Sequence, residues 1–338
     1  MKPIDENTQT TTELPGSESQ GFHHQPVMAS EIVAAFAAVP PGVVLDATLG
    51  AGGHTELLLA AHPHLSVLGL DRDPQAVAAA SRRLARFADR VQLHHCRFDH
   101  LRDAMAIKQI PILSGALFDL GVSSPQLDHA ERGFSYRNDA PLDMRMDSTS
   151  SLTAFDVVNS YGEADLARVL AEFGDERFAG RIARSIVAQR PIQSTVALAE
   201  IVVAAIPAAA RRTGGHPAKR SFQAIRIEVN SELAVLPTAL DAAVRATAVG
   251  GRVAVLSYHS GEDRIVKSSF RSATTGDCTC PPNLPCVCGA ERLTVTVRGV
   301  AKQPSKAEQQ ANRRASSARL RIVERIPLNP SPTQKLVS

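Results

Sequence analysis

With 338 residues, the chain is too long for one ordinary domain and fits two, or one large α/β unit carrying an insertion. Hydrophobic residues at 44% are enough for a sizeable core, while charged residues at 21% and a net charge of +3 exclude a histone-like polycation but permit a nucleic-acid partner. Aromatics at 4%, with no Trp, exclude broad aromatic stacking surfaces. No apolar stretch reaches the length that spans a bilayer, since the longest, Ile201 to Ala210, is interrupted by Pro207. The first residues lack the basic-then-apolar pattern of a secretory leader. A soluble, cytoplasmic chain without membrane contact is expected.

Residues 1–21 are polar and without hydrophobic periodicity, which predicts a disordered tail. A helix is expected from Ser30 to Val39, with Ser30 as N-cap. A repeating strand-then-helix pattern follows. Strands are predicted at Val43 to Leu45, Ser66 to Leu70, Val91 to Leu93 and Gly115 to Phe118, with helices at His54 to Ala61 and Pro74 to Ala88. Such alternation implies right-handed βαβ units and a parallel sheet. From about residue 150 to 245 the periodicity is helical, with candidate helices at Ala164 to Phe173, Glu176 to Gln189, Thr195 to Ala205 and Gln223 to Ala246. Strand character returns at Gly251 to Ser257, Leu293 to Val297 and Arg319 to Arg325. The expected organisation is one α/β domain made of residues 22–135 and 223–338, interrupted by a helical insertion at 136–222.

Open parallel sheets bind ligands beyond the C-terminal ends of their strands. The first strand runs into Asp46-Ala47-Thr48-Leu49-Gly50-Ala51-Gly52-Gly53-His54, and the second ends at Asp71. Glycines let a ligand approach the backbone, exposed amides at a helix start favour a carboxylate or other anion, and Asp71 is placed to accept from ribose hydroxyls. A nicotinamide dinucleotide would need G-x-G-x-x-G, and Thr55 occupies the third glycine position. A cofactor without a pyrophosphate, such as S-adenosylmethionine, fits better. The fourth strand ends in Asp119-Leu120-Gly121-Val122-Ser123-Ser124-Pro125-Gln126, facing the cofactor's reactive end. Asp119, a hydroxyl from Ser123 or Ser124, and backbone carbonyls are candidates for orienting an exocyclic amine and opposing its developing positive charge; the alternative is a plain loop after a strand. No aromatic follows Pro125. Phe134 or Tyr136 would have to stack on a base instead, unless both are core residues.

Taken together, several strings resemble the bacterial small-subunit ribosomal RNA methyltransferase H family, the cytosine-N4 methylases of 16S rRNA. They are His24 to Met28, Asp46 to His54, Asp71 to Ala76, Asp119 to Asp128, Glu131 to Ser135, Pro141 to Asp147, Phe222 to Ile227, Val229 to Leu233 and Ser257 to Arg264, spread over roughly residues 24–325. The resemblance implies a Rossmann-like class I methyltransferase sheet with an inserted helical domain for substrate recognition. It also implies S-adenosylmethionine as methyl donor and a cytidine N4 in the decoding region as acceptor, near the P site. Cofactor contacts would fall on Gly52, Gly53, His54, Asp71, Phe98, Asp119 and Gln126, with Phe98 packing on adenine and His54 either capping helix amides or meeting the cofactor carboxylate. Tyr258 and Gly261 stand where the family pattern has Phe and Leu. The implied partner is 16S rRNA or the small ribosomal subunit, and a homodimer stays open. A non-catalytic RNA-binding assembly protein on the same fold is the competing reading, against which the intact Gly52-Gly53, Asp71 and Asp119 argue.

Three basic groups are candidates for RNA contact: a predicted helical stripe of Arg177, Arg181 and Arg184; Arg211, Arg212, Lys219 and Arg220 around a Gly-Gly loop; and Lys302, Lys306, Arg313 and Arg314. Solvated helix faces are the plainer explanation. Cys278, Cys280, Cys286 and Cys288 form C-x-C…C-x-C around a Pro-rich loop. Four thiolates suit tetrahedral Zn²⁺, yet the pairs are closer than the usual C-x₂-C, and reduced thiols in a loop are the alternative; no metal is assigned. Cys96 is expected in the core on the third strand.

Overall fold

A computed structural model describes residues 26–123, 126–127, 129–212, 215–281 and 287–328. The tail at 1–21, His24 and Gln25, Ser124 and Cys286 therefore lie outside the described residues. Strands β1 (Gly42–Asp46), β2 (Leu65–Asp71), β3 (Val91–His95), β4 (Leu113–Asp119), β5 (Thr247–Ser257), β6 (Thr294–Thr296) and β7 (Arg319–Arg325) form one seven-stranded sheet. Its order is β3-β2-β1-β4-β5-β7-β6. The first five strands run parallel, and β7 lies antiparallel to both β5 and β6.

Side-chain alternation along the strands builds a core on each face. Leu45, Leu68, Leu70, Ala116, Phe118, Val253 and Val255 point to one side. They meet α4 (Leu101–Ile107), α10 (Glu232–Ala246) and α11 (Ser260–Thr275). Val44, Val67, Leu117, Ala254 and Leu256 point to the other, against α1 (Ala29–Phe36) and α2 (Gly53–Ala61). Gly115 on β4 explains how α1 sits so close: a Cβ there would lie 2.7 Å from Cε1 of Phe36.

Helices α5 (Ala154–Ser160), α6 (Glu163–Gly174), α7 (Ala179–Ala188), α8 (Thr195–Ala205) and α9 (Lys219–Asn230) gather around a separate apolar cluster reaching from Phe134 to Val229. The helices differ from expectation where a local backbone feature outweighs periodicity. Ser30 lies inside the first turn of α1, because Met28, at φ 51°, is the N-cap. The helix predicted from Pro74 to Ala88 stops earlier, as α3 (Pro74–Arg83), and gives way to a 3₁₀ segment, Ala85–Arg90. The helix expected from Gln223 to Ala246 is two helices, α9 and α10, broken at Ser231, where φ is 51°.

Asn230 stands at that break and ties the helical layer to the segment before it. Its Nδ2 donates to the carbonyls of Met144 and Arg226, both at 2.8 Å, and its Oδ1 accepts from Met146 N–H at 2.8 Å. The Asn230 carbonyl accepts from Arg72, beside β2. The residue is 1% exposed, so truncation strands buried backbone groups. Asn230→Ala is expected to lower unfolding free energy by about 1–3 kcal/mol, read by urea denaturation; a change within error would show the network to be dispensable.

Candidate functional site

Three neighbouring parallel strands each end in a carboxylate: Asp46 on β1, Asp71 on β2 and Asp119 on β4. Their C-terminal ends share one edge of the sheet, where ligands of such folds sit.

Asp46 is buried and structural. Thr55 Oγ1 donates to its Oδ2 at 2.6 Å, and Thr48 N–H donates to its Oδ1 at 3.3 Å. Burial pushes its carboxyl above the ordinary range. Thr55 therefore has a positive reason to stand where a dinucleotide fingerprint needs glycine: it locks the start of α2 onto β1. The turn between them bends through Gly50 and Gly52, at φ 52° and 80°. A Cβ on Gly52 would also press on Leu84 at 3.0 Å. The N-terminus of α2 has no side-chain cap, which leaves its first-turn amides for a ligand carboxylate.

Asp71 closes the other side of this turn. Its Oδ2 accepts from Gly50 N–H at 2.7 Å and its Oδ1 from Asp73 N–H at 2.8 Å. Each oxygen keeps a further lone pair, and the residue is only half-buried, which fits a pair of ribose hydroxyls. Burial raises its carboxyl to about 6, against the two amides that pull it down. Phe98 follows β3 in a short 3₁₀ turn and meets Phe118 edge-on, with ring centroids 5.7 Å apart. Half-buried, it offers an apolar surface beside the Asp71 strand end.

Asp119 is held from two sides and faced from a third. Its N–H donates to Thr48 Oγ1 at 2.6 Å, and Tyr258 Oη–H donates to its Oδ1 at 2.6 Å. His54 Nδ1 faces its Oδ2 at 3.5 Å. The other imidazole nitrogen, Nε2, donates to the Val27 carbonyl at 2.9 Å. His54 is thus turned toward the sheet rather than capping α2. Asp119 retains 27% side-chain exposure, so the fixed carboxylate still opens to the crevice. Desolvation and the Asp119 charge hold the Tyr258 phenol well above its usual range and keep it a donor. The segment that carries Val27 is itself fastened by Met28 N–H donating to Glu308 Oε1 at 2.7 Å, from α12 (Lys306–Ala311).

Gln126 is buried rather than open to the crevice. Its Oε1 accepts from Ser123 N–H at 3.0 Å and its Nε2 donates to Asp73 Oδ2 at 3.2 Å. Asp73 also caps α3 through Gln75 N–H and pairs with Arg132 at 2.9 Å, while Arg132 donates onward to the carbonyls of Arg145 and Met146. Gln126 therefore holds the loop after Asp119 against the cofactor edge. Ser123 is half-buried beside it. Phe134 belongs to the helical core, and Tyr136 is stacked on His216 at 4.4 Å, so both rings have partners already.

Sequence reasoning missed Tyr258, Asp73 and Arg132. Tyr258 was noticed only as a departure, yet a hydroxyl added beside a β4 carboxylate was the available signal. Tyr258→Phe is expected to lower kcat about 3- to 30-fold with little change in methyl-donor affinity, since one hydrogen bond to a charged group is lost. An equal fall in donor affinity would place Tyr258 in binding instead.

The basic groups fare unevenly. Arg177 precedes α7 and lies over Phe178, leaving Arg181 and Arg184 exposed on the helix, with Arg184 3.4 Å from Glu163. Arg211 is spent on the carbonyls of Ile206 and Ala204 at the end of α8. Lys219, Arg220, Lys302 and Lys306 are exposed; the side chains of Arg212, Arg313 and Arg314 lie outside the described ones. Cys96 falls just past β3 and is half-buried. Among the described residues no helix is long and apolar enough to cross a membrane.

The sheet order, together with a glycine turn facing an acidic strand end, defines an S-adenosylmethionine-dependent methyltransferase. Residues 21–326 match the MraW methylase family, and the chain belongs to it. Ribosomal RNA small subunit methyltransferase H of Saccharopolyspora erythraea is 52% identical over 311 residues, covering 90% of this chain and 93% of that protein. The protein of the same name from Symbiobacterium thermophilum is 50% identical over 310 residues, covering 90% and 97%. Among solved structures, a putative rRNA-methylase from Clostridium thermocellum is 14% identical, with a TM-score of 0.42 over 90% of this chain and 99% of that one. A putative methyltransferase from Streptococcus mutans, in complex with SAH, is 13% identical with a TM-score of 0.39, over 88% and 95%.

Proposed function

We propose that the protein transfers a methyl group to N4 of a cytidine in the decoding region of 16S rRNA, in the cytoplasm. The observation that carries the reading is Asp119, a carboxylate fixed by Tyr258 and faced by His54 at the tip of β4 yet open to the crevice. The relatives' common name, ribosomal RNA small subunit methyltransferase H, supports the RNA substrate. S-adenosylmethionine supplies an electrophilic methyl on a sulfonium. The amides at the start of α2 beyond Gly52 and Gly53 hold its carboxylate, Asp71 holds its ribose and Phe98 packs on its adenine. His54 and Gln126 act one step back, as positioning residues for Asp119 and its loop.

A cytosine amine is a poor nucleophile because its lone pair is delocalised into the ring. Asp119 accepts a hydrogen bond from the amine, turns its lone pair toward the methyl and opposes the positive charge that grows on nitrogen. As the N–CH₃ bond forms, the S–CH₃ bond would break and its electron pair return to sulfur as a neutral thioether, and the surplus N–H proton leaves toward Asp119 and solvent. The base must be unpaired or flipped to reach this depth, and the helical layer gathered between Phe134 and Val229 acts as the unit that presents it.

The test is incubation of purified protein with isotope-labelled S-adenosylmethionine and unmodified small ribosomal subunits, followed by mass spectrometry of the rRNA nucleosides. Labelled N4-methylcytidine at one decoding-region position is expected. Methyl-donor binding without any labelled nucleoside would support a non-catalytic assembly role instead.

A further inference from the structure

We propose that Cys278, Cys280 and Cys288 are ligands of a structural Zn²⁺ ion that staples the connection between α11 and β6. The three Sγ atoms lie within 4.8 Å of one another. Cys278 and Cys288 Sγ are 3.6 Å apart, although ten residues separate them in sequence. Zn–S bonds of about 2.3 Å at tetrahedral angles hold sulfurs about 3.8 Å apart, whereas a disulfide requires about 2.05 Å. The Cys278–Cys288 spacing is close to that of two ligands on a shared centre and far from that of a disulfide. Cys280 Sγ also accepts from Val287 N–H at 3.4 Å, the kind of backbone donor that stabilises a metal-bound thiolate. Cys286 lies outside the described residues, and the assignment rests on the other three.

Apolar packing does not account for this convergence. No described residue between Asp277 and Arg292 is buried, and Val287 is 88% exposed. The described residues of this connection form no helix, strand or core of their own and need another source of order. Its ends are already pinned: Gly276 N–H donates to Ser272 O at the end of α11, and Leu293 N–H donates to Ala273 O, both at 2.8 Å. A metal on the three thiols would close the span between these pins. The thiols release their protons to solvent on binding, so the ion replaces S–H groups with three charged ligands.

The site is structural rather than catalytic because of where α11 puts it. That helix starts beside Tyr258 and runs for 16 residues, about 24 Å, before the cysteines begin. The cluster therefore stands at the opposite end of α11 from Asp119 and supports β6, the three-residue strand at the sheet edge.

Elemental analysis of the full-length protein, purified without chelator, is expected to find one zinc per chain. The Cys280→Ser and Cys288→Ser variants should lose it, and Cys96→Ser should keep it. Because a cysteine variant can fail for reasons of folding, the wild-type protein should also be stripped with chelator and titrated with Co²⁺. A saturable thiolate-to-cobalt absorption band at one equivalent is expected. Wild-type protein without stoichiometric zinc and without that band, its thiols all open to alkylation or joined as a disulfide, would overturn the assignment.

Discussion

Asp119→Ala should reduce kcat by about 10²- to 10³-fold while leaving the methyl donor bound, because it removes a charged acceptor aimed at the charge that develops on the amine. The variant should stay folded. Asp119 is partly exposed, and its two side-chain neighbours keep other anchors: His54 still donates to Val27 O, and Tyr258 N–H still donates to Glu262 at 2.7 Å. Isothermal titration with S-adenosylmethionine and single-turnover transfer, run on the same preparation, separate the two effects. A variant that transfers at the wild-type rate would remove Asp119 from the reaction centre. Asp119→Asn should recover little: the amide keeps the shape and an acceptor oxygen but loses the negative charge.

Asp71→Ala should weaken methyl-donor binding by about 1–3 kcal/mol, some 5- to 150-fold in Kd, as a charged acceptor of ribose hydroxyls is lost. The same residue predicts a pH dependence. Its carboxyl sits at about 6 in the folded chain against an ordinary 3.8. Between those values the folded state holds the proton more firmly than the unfolded state. Raising the pH through that window therefore costs stability in the unliganded protein, and the cost is fully present at pH 7. Donor binding responds in the opposite sense: hydroxyl donors favour the carboxylate, so affinity should fall as pH drops below about 6. In Asp71→Asn this pH dependence should vanish. Identical titration curves for the wild type and Asp71→Asn between pH 5 and 7 would count against the ribose role.

The parallel sheet and the edge where a ligand sits were legible in the sequence because they follow from short-range rules. Hydrophobic strands ended in Asp46, Asp71 and Asp119, and each was followed by turn residues. Helix ends were less legible. Ser231 and Met28 adopt positive φ without being glycine, and Asn230 reaches Met144 and Met146 across 86 and 84 residues, which periodicity cannot register. The candidate site divides in the same way. Gly52, Gly53 and Asp71 carry their purpose in their local context. Gln126 and His54 were named by resemblance, and their orientation depends on Asp73, Val27 and Asp119, fixed only once distant strands align. Tyr258, 139 residues from the carboxylate it serves, had no local signature beyond being the wrong aromatic for the pattern.

The bond from Met28 N–H to Glu308 spans 280 residues and sits behind Val27, on which His54 leans. Translation proceeds from the N-terminus, so the glycine turn, Asp71 and Asp119 all emerge long before Tyr258 and longer still before Glu308. The backing of the centre thus waits on a segment made after all of those groups. A chain translated only as far as Tyr258 carries the cradle for the methyl donor without the wall behind His54. A stop codon near residue 300 would by the same logic remove Glu308 while sparing every reacting group.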